Sequence, residues 1–203
     1  MTSRAMMVML PALLLGCAAP APDPPPSTVR TVAVLPPGNR TGDGLLVSGT
    51  SFLEKYAFNT DPMTVGDVLA ANLRMQLARR GFAVVRPDVV QEATQGRGVG
   101  SPDAAVEIAR HGHLTEPMLV VTIDRWEPNG GTHPDYVIVA LEAWIVDPGT
   151  AAVLWHAHRR ASPIATPGSV TLAAGYEIAA GKAAQELVGS WGADGTQYTA
   201  PPR

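Results

Sequence analysis

Apolar positions recur with two periods along this chain, and the change from one to the other marks its elements. Thr31-Val32-Ala33-Val34-Leu35 is a short, β-branched run closed by Pro36-Pro37, which predicts a buried strand. Gly38 to Gly44 is a loop by its turn residues. Farther on, Val65, Val68, Leu69, Leu73 and Leu77 form the stripe of an amphipathic helix. Asp61-Pro62 would open that helix, with Asp61 or Thr64 as cap. Arg79-Arg80 suit the negative end of its dipole, and Gly81 suits the residue just past it. Phe82–Val85 is a second strand, and Ser101-Pro102-Asp103 starts a helix ending near His111-Gly112. Three strands follow, at Met118–Trp126, Tyr136–Asp147 and Val153–Arg159. A last helix covers about Ser169 to Trp191, with Gly175, Ala179 and Ala183 spaced for close approach to a sheet.

The order is β-α-β-α-β-β-β-α. It predicts an α+β domain: two layers on a mixed sheet of about five strands, with helices on one or both faces. The stretch from Pro37 to Asp61 is long for a connection, which in compact domains signals function or a hidden element. Ser51-Phe52-Leu53-Glu54 has capping-box spacing, so a short amphipathic helix is expected at about residues 51–57. No internal repeat is present.

The first seventeen residues give an address. A short charged start at Arg4 precedes an apolar run from Ala5 to Leu15, then Gly16-Cys17. The run is too short to span a bilayer as a mature helix. It resembles a bacterial lipoprotein signal ending in a lipobox, although Leu15 is a less usual residue at its position. The resemblance implies cleavage before Cys17 and lipidation of that thiol with diacylglycerol and an N-acyl chain. Cys17 is the only cysteine, so an internal disulfide is excluded. Residues 1–16 are then signal peptide and 17–29 a lipidated, proline-rich tether. At ~3.1 Å per residue that tether would hold the domain about 30–40 Å from the bilayer. Residues 30–192 make a single periplasmic domain, and 193–203 a frayed tail.

Composition narrows the function classes. The chain is 46% hydrophobic and 16% charged, globular values that exclude wholesale disorder. Net charge is −3, or −4 once Arg4 leaves with the signal, and no basic stripe suggests nucleic acid. There is no Gly-x-Ser-x-Gly, no His-Glu-x-x-His and no Walker lysine, so no enzyme is expected. The glycines at 38, 42 and 44 have the wrong spacing for a phosphate loop.

Val32-Ala33-Val34-Leu35-Pro36-Pro37-Gly38-Asn39-Arg40-Thr41-Gly42 resembles the opening strand and loop of a group of envelope lipoproteins. That group includes CsgG, LpoB, PelC and the N-terminal domain of TolB. Gly81-Phe82-Ala83-Val84 is similar to their second strand, and Asp147-Pro148-Gly149-Thr150 with Trp155 to their late hairpin. Pro37 replaces the usual aromatic residue. The resemblance covers about residues 30–190. It implies a lipid-anchored, non-enzymatic domain that binds another envelope protein or itself, without naming one member. Beyond the core strands there is no pair of alternating ~10-residue segments for a barrel, so a pore made by this chain alone is not expected. A ring without a barrel stays open.

Candidate site residues cluster on the late strands. A three-residue loop Pro148-Gly149-Thr150 would place Asp147 opposite Ala151, Glu142 opposite His156 and Ala140 opposite His158. Ile145, Ala143 and Leu141 would then share one face, with Trp144, Glu142, His156 and His158 on the other. A two-residue loop would bury both histidines among aliphatic residues, at a cost. The second face could also draw Tyr136 and, from the strand before, Thr122, Asp124 and Trp126. Trp126, Trp144, Glu142, His156 and His158 therefore form a candidate partner surface, since aromatics are favoured at interface centres. The other readings of that face are a helix cover or a solvated surface with tolerated aromatics. Phe52 and Tyr56 are a second candidate surface, against a lid packed inward on the core. His111, His113, His156 and His158 are too few for a closed metal site without a carboxylate, so no metal and no cofactor is expected.

These features predict a periplasmic scaffold or interaction lipoprotein, an accessory of an envelope secretion, export or cell-wall machine, with self-association left open beside it. The alternative is a small-ligand or metal-binding lipoprotein using Glu142, His156 and His158. Ala18 lacks the aspartate that retains such proteins in the inner membrane, which favours the outer membrane.

Overall fold

A computed structural model describes residues 23–47 and 62–191. The signal, Cys17, the expected helix at 51–57 with Phe52 and Tyr56, and the tail 193–203 lie outside the described residues. The strands are β1 (Thr31–Val34), β2 (Gly38–Asn39), β3 (Ala83–Val84), β4 (Met118–Pro128), β5 (Tyr136–Val146) and β6 (Val153–Ala165). The helices are α1 (Val65–Arg79), α2 (Pro87–Thr94), α3 (Pro102–Gly112) and α4 (Leu172–Val188).

The fold is α+β on one mixed sheet of six strands, in the order β3-β1-β4-β5-β6. β1 runs parallel to β3 and β4, and β4, β5 and β6 form an antiparallel meander. β2 extends the line of β1 along β4 after the break at Pro36-Pro37, pairing Gly38 with Thr122 and Asn39 with Ile123.

Local chemistry accounts for the helix ends. Thr64 caps α1 in a full capping box with Asp67, so the helix starts there and not at Asp61-Pro62. Gly81 takes φ +84°, the left-handed conformation that releases the chain into β3. Ser101 caps α3 ahead of Pro102. α4 begins after Thr171, three residues later than expected, because Pro167-Gly168 form a turn with Gly168 at φ +76°. α2 was not anticipated, although Pro87 and Asp88 stand at its first turn as helix-opening residues do.

Two cores lie on opposite faces of the sheet. α1 and α4 cover the first, packing Leu69, Leu73, Leu77, Ala179, Ala183 and Leu187 onto Val121, Ile123, Leu141 and Ile145. Each buried leucine contributes about 1.5–3 kcal/mol. α2 and α3 cover only part of the second face, over Ala33, Leu35, Met118 and Val120. Among the described residues no helix covers the distal part of β4, β5 and β6 on that side, and there the site lies.

Three expectations need correction. β6 runs on to Ala165, past the expected end at Arg159, and its Pro163 lies opposite Ile138. Proline is tolerated there because β6 is the outermost strand. The tether does not run free to residue 29. Pro25 and Val29 are buried, Val29 N–H donates to Pro26 O at 3.0 Å, and Trp155 Nε1 donates to Asp23 O at 2.6 Å. Finally, the hairpin register is shifted by two residues. The loop takes four residues, Pro148 to Ala151, closed by Asp147 N–H to Ala152 O at 2.9 Å, and Leu154 is an extra, bulged residue. Each change moves the register by one residue, and together they restore the same faces. Trp144 consequently faces His156, and Glu142 faces His158.

Candidate partner-binding face

The loop after β2 is built to present Arg40. Asn39 Oδ1 accepts from Thr41 N–H at 3.0 Å and Thr41 Oγ1 at 2.8 Å, and Asn39 Nδ2 donates to Asp43 O at 2.6 Å. Gly42 closes the turn at φ +85°. The Arg40 backbone N–H donates to Ile123 O at 2.9 Å, which lays its side chain beside the bulge of β4 at Asp124.

From there a chain of polar contacts crosses the open face. Arg40 Nη1 stands 3.4 Å from Asp124 Oδ1 on β4 and 3.5 Å from Glu142 Oε2 on β5. Arg40 Nη2 donates to Gly100 O in the loop before α3. The other oxygen of Glu142 lies 3.0 Å from His156 Nε2 on β6. The His156 ring stacks on Trp144, with centroids 5.6 Å apart and planes 19° from parallel. Buried Thr122 donates from Oγ1 to Asp124 Oδ1 at 3.4 Å. Four separate elements thus meet in one partly exposed array: Asp124, Arg40, Glu142, His156 and Trp144.

These ion pairs add little to stability. The Arg40, Asp124 and Glu142 side chains are 45%, 30% and 29% exposed, and pairs in such surroundings contribute roughly 0–1 kcal/mol. What the array supplies is orientation: a cation fixed between two carboxylates beside an indole–imidazole stack. Its donors and acceptors are held by three strands and the turn after β2, so a partner group could meet them without ordering them first.

Of the candidate residues, Trp144, Glu142 and His156 come together, and His158 lies exposed on the same face. Trp144 is half-buried, one side packed on the cluster beneath α3. Tyr136 shares the face but lies at the far end of β5. Trp126 does not belong to it. The bulge at Asp124 adds one residue to β4 and turns Trp126 to the opposite face, where it is 2% exposed and meets Tyr176 of α4 edge-on at 6.1 Å. Phe52 and Tyr56 lie outside the described residues. Arg40 was missed as a site residue, although it sits inside the opening-loop motif. Its signal was a lone arginine in a loop otherwise made of turn residues. Among the described residues no group of three or more His, Cys, Asp or Glu could hold a metal ion.

No family model matches this chain, and no curated protein matches it. Solved structures similar to it include the lipoprotein GNA1162 from Neisseria meningitidis, at 16% identity and TM-score 0.45, covering 68% of this chain and 85% of that one. The PelC dodecamer from Paraburkholderia phytofirmans is similar at 16% identity and TM-score 0.42, covering 81% and 92%. The C-terminal domain of LpoB from Salmonella enterica is similar at 17% identity and TM-score 0.38, covering 67% and 82%. PelC and LpoB belong to the group that the opening strand and loop resemble. At these identities and scores no partner or assembly state passes from them to this chain.

Proposed function

We propose that this protein is a lipid-anchored interaction module of the bacterial envelope, which holds another envelope protein or a second copy of itself through the open half of its second sheet face. The array that joins Arg40, Asp124, Glu142, His156 and Trp144 across four elements is the observation that carries the reading. The order of charge, apolar run and cysteine in residues 1–17 supports an anchor at Cys17 on the periplasmic side. The residue after it, Ala18, supports the outer membrane over the inner. The resemblance of Val32–Gly42 to envelope lipoproteins supports an accessory role in a secretion, export or cell-wall machine without selecting one.

In-cell crosslinking of the tagged, lipidated protein, followed by mass spectrometry, tests this. One stoichiometric envelope partner, or a discrete multiple of the chain itself, is the expected result. Recovery as a lone monomer overturns it and moves the ligand-binding alternative forward.

A further inference from the structure

Residues 23–29 are a strap seated on the domain, and the seat is one residue from the polar array. Trp155 receives the strap on one face of β6: its Nε1 donates to Asp23 O at 2.6 Å. Its ring packs edge-on against Trp191 at 4.6 Å, in the same core as Val29 and Phe82. Within the strap Pro25 is buried and Val29 is 2% exposed. Such burial offsets the cost of ordering a proline-rich segment, which loses less backbone freedom than an ordinary one. The next residue, His156, points to the other face and belongs to the array.

We propose that this strap fixes where the lipid end leaves the molecule, and so which partners the array can meet. The inference rests on the anchor at Cys17 proposed above. Five residues lie between Cys17 and Asp23, and the six steps of ~3.3–3.6 Å reach at most about 20 Å. The β6 edge is therefore held within about 20 Å of the bilayer surface, and the array within about 30 Å. The partner is then one that presents its contact surface at the same membrane: an integral protein, another lipoprotein or a neighbouring copy. A component standing farther off is out of reach. A free twelve-residue tether would have doubled that reach, to about 40 Å.

Energy transfer in vesicles tests this on the full mature chain. Val153 is 48% exposed at the start of β6 and accepts a dye as Val153→Cys, which is the only free thiol once Cys17 is acylated. The acceptor is a headgroup-labelled lipid in phosphatidylethanolamine–phosphatidylglycerol vesicles. Two variants are compared in this background. One inserts twelve Gly/Ser residues before Asp23, adding about 20 Å of root-mean-square reach with the strap intact. The other, Pro25→Ser with Trp155→Phe, frees the strap at constant length. Transfer is expected to fall about twofold in both. Unchanged transfer in the strap variant, with its melting transition retained, overturns the proposal. Mass spectrometry of the mature N-terminus keeps the two failures apart. A chain without lipid at Cys17 overturns the anchor and this inference together, whereas lipid with unchanged transfer overturns this inference alone.

Discussion

Gly38 passes directly beneath Gly100: a β-carbon on Gly38 would sit 2.6 Å from the Gly100 Cα and 2.8 Å from Val99 O. The two backbones are drawn together by Val99 N–H donating to Pro36 O at 2.9 Å, and Arg40 reaches over to Gly100 O. The loop before α3 thus rests on β2 only because position 38 has no side chain. Gly38→Ala is expected to cost about 1–3 kcal/mol, since backbone must move on one side or the other. A urea titration of the variant measures this, and a change under ~0.5 kcal/mol would show that the loop moves freely.

Arg40→Gln separates recognition from folding. The ion pairs it removes are partly exposed, so stability should change by no more than about 1 kcal/mol. The partner or self-crosslink should nevertheless weaken, because Asp124 and Glu142 lose the cation held between them. Parallel denaturation and crosslinking measurements decide; full crosslinking by the variant removes Arg40 from the surface.

Trp126 and Trp144 should behave differently when truncated. Trp126 is buried beneath α4, so Trp126→Ala is expected to cost about 3–5 kcal/mol. Trp126→Phe should cost less than the alanine change, because it leaves a smaller cavity and Trp126 Nε1 has no hydrogen-bond partner among the described residues. Trp144→Ala should leave the domain folded and weaken association, since one side of that ring faces His156 and not the core. Equal stability losses in the two alanine variants would refute the assignment of the two rings to opposite faces.

The β5–β6 turn carries an acid-sensitive link. Asp147 Oδ1 accepts from Thr150 N–H at 2.9 Å and Gly149 N–H at 2.8 Å, and these bonds hold its carboxyl below the usual range. A depressed folded pKa stabilises the fold above the unfolded value of about 3.9, and that contribution is lost as pH falls through the lower folded value. Asp147→Asn keeps an acceptor in the turn but does not titrate. Urea stability measured from about pH 5 down to pH 2 should therefore decline less steeply in Asp147→Asn than in the parent. Identical slopes would mean that the turn does not contribute to acid sensitivity.

Much of the architecture was legible because it is written at short range. The α1 stripe, its Gly81 exit and the alternation of β5 depend on residues within a few positions of one another. Even the shared face of Trp144, Glu142 and His156 followed from alternation, and it survived a register shift because a longer loop and the bulge at Leu154 cancel in parity. The missed helix α2 was also local, but eight residues carry too few turns for a clear period.

The α+β class, the cap at Ser101 and the residues of the late hairpin that share a side follow from local pattern alone. Three features come instead from contacts between elements. The bulge at Asp124 sent Trp126 into the first core, the ladder of β2 on β4 delivered Arg40 to two carboxylates, and Trp155 captured Asp23 across 132 positions of chain. The reason is physical: periodicity records which side of an element is apolar, whereas bulges and distant contacts arise from the fit between elements, which no local pattern encodes.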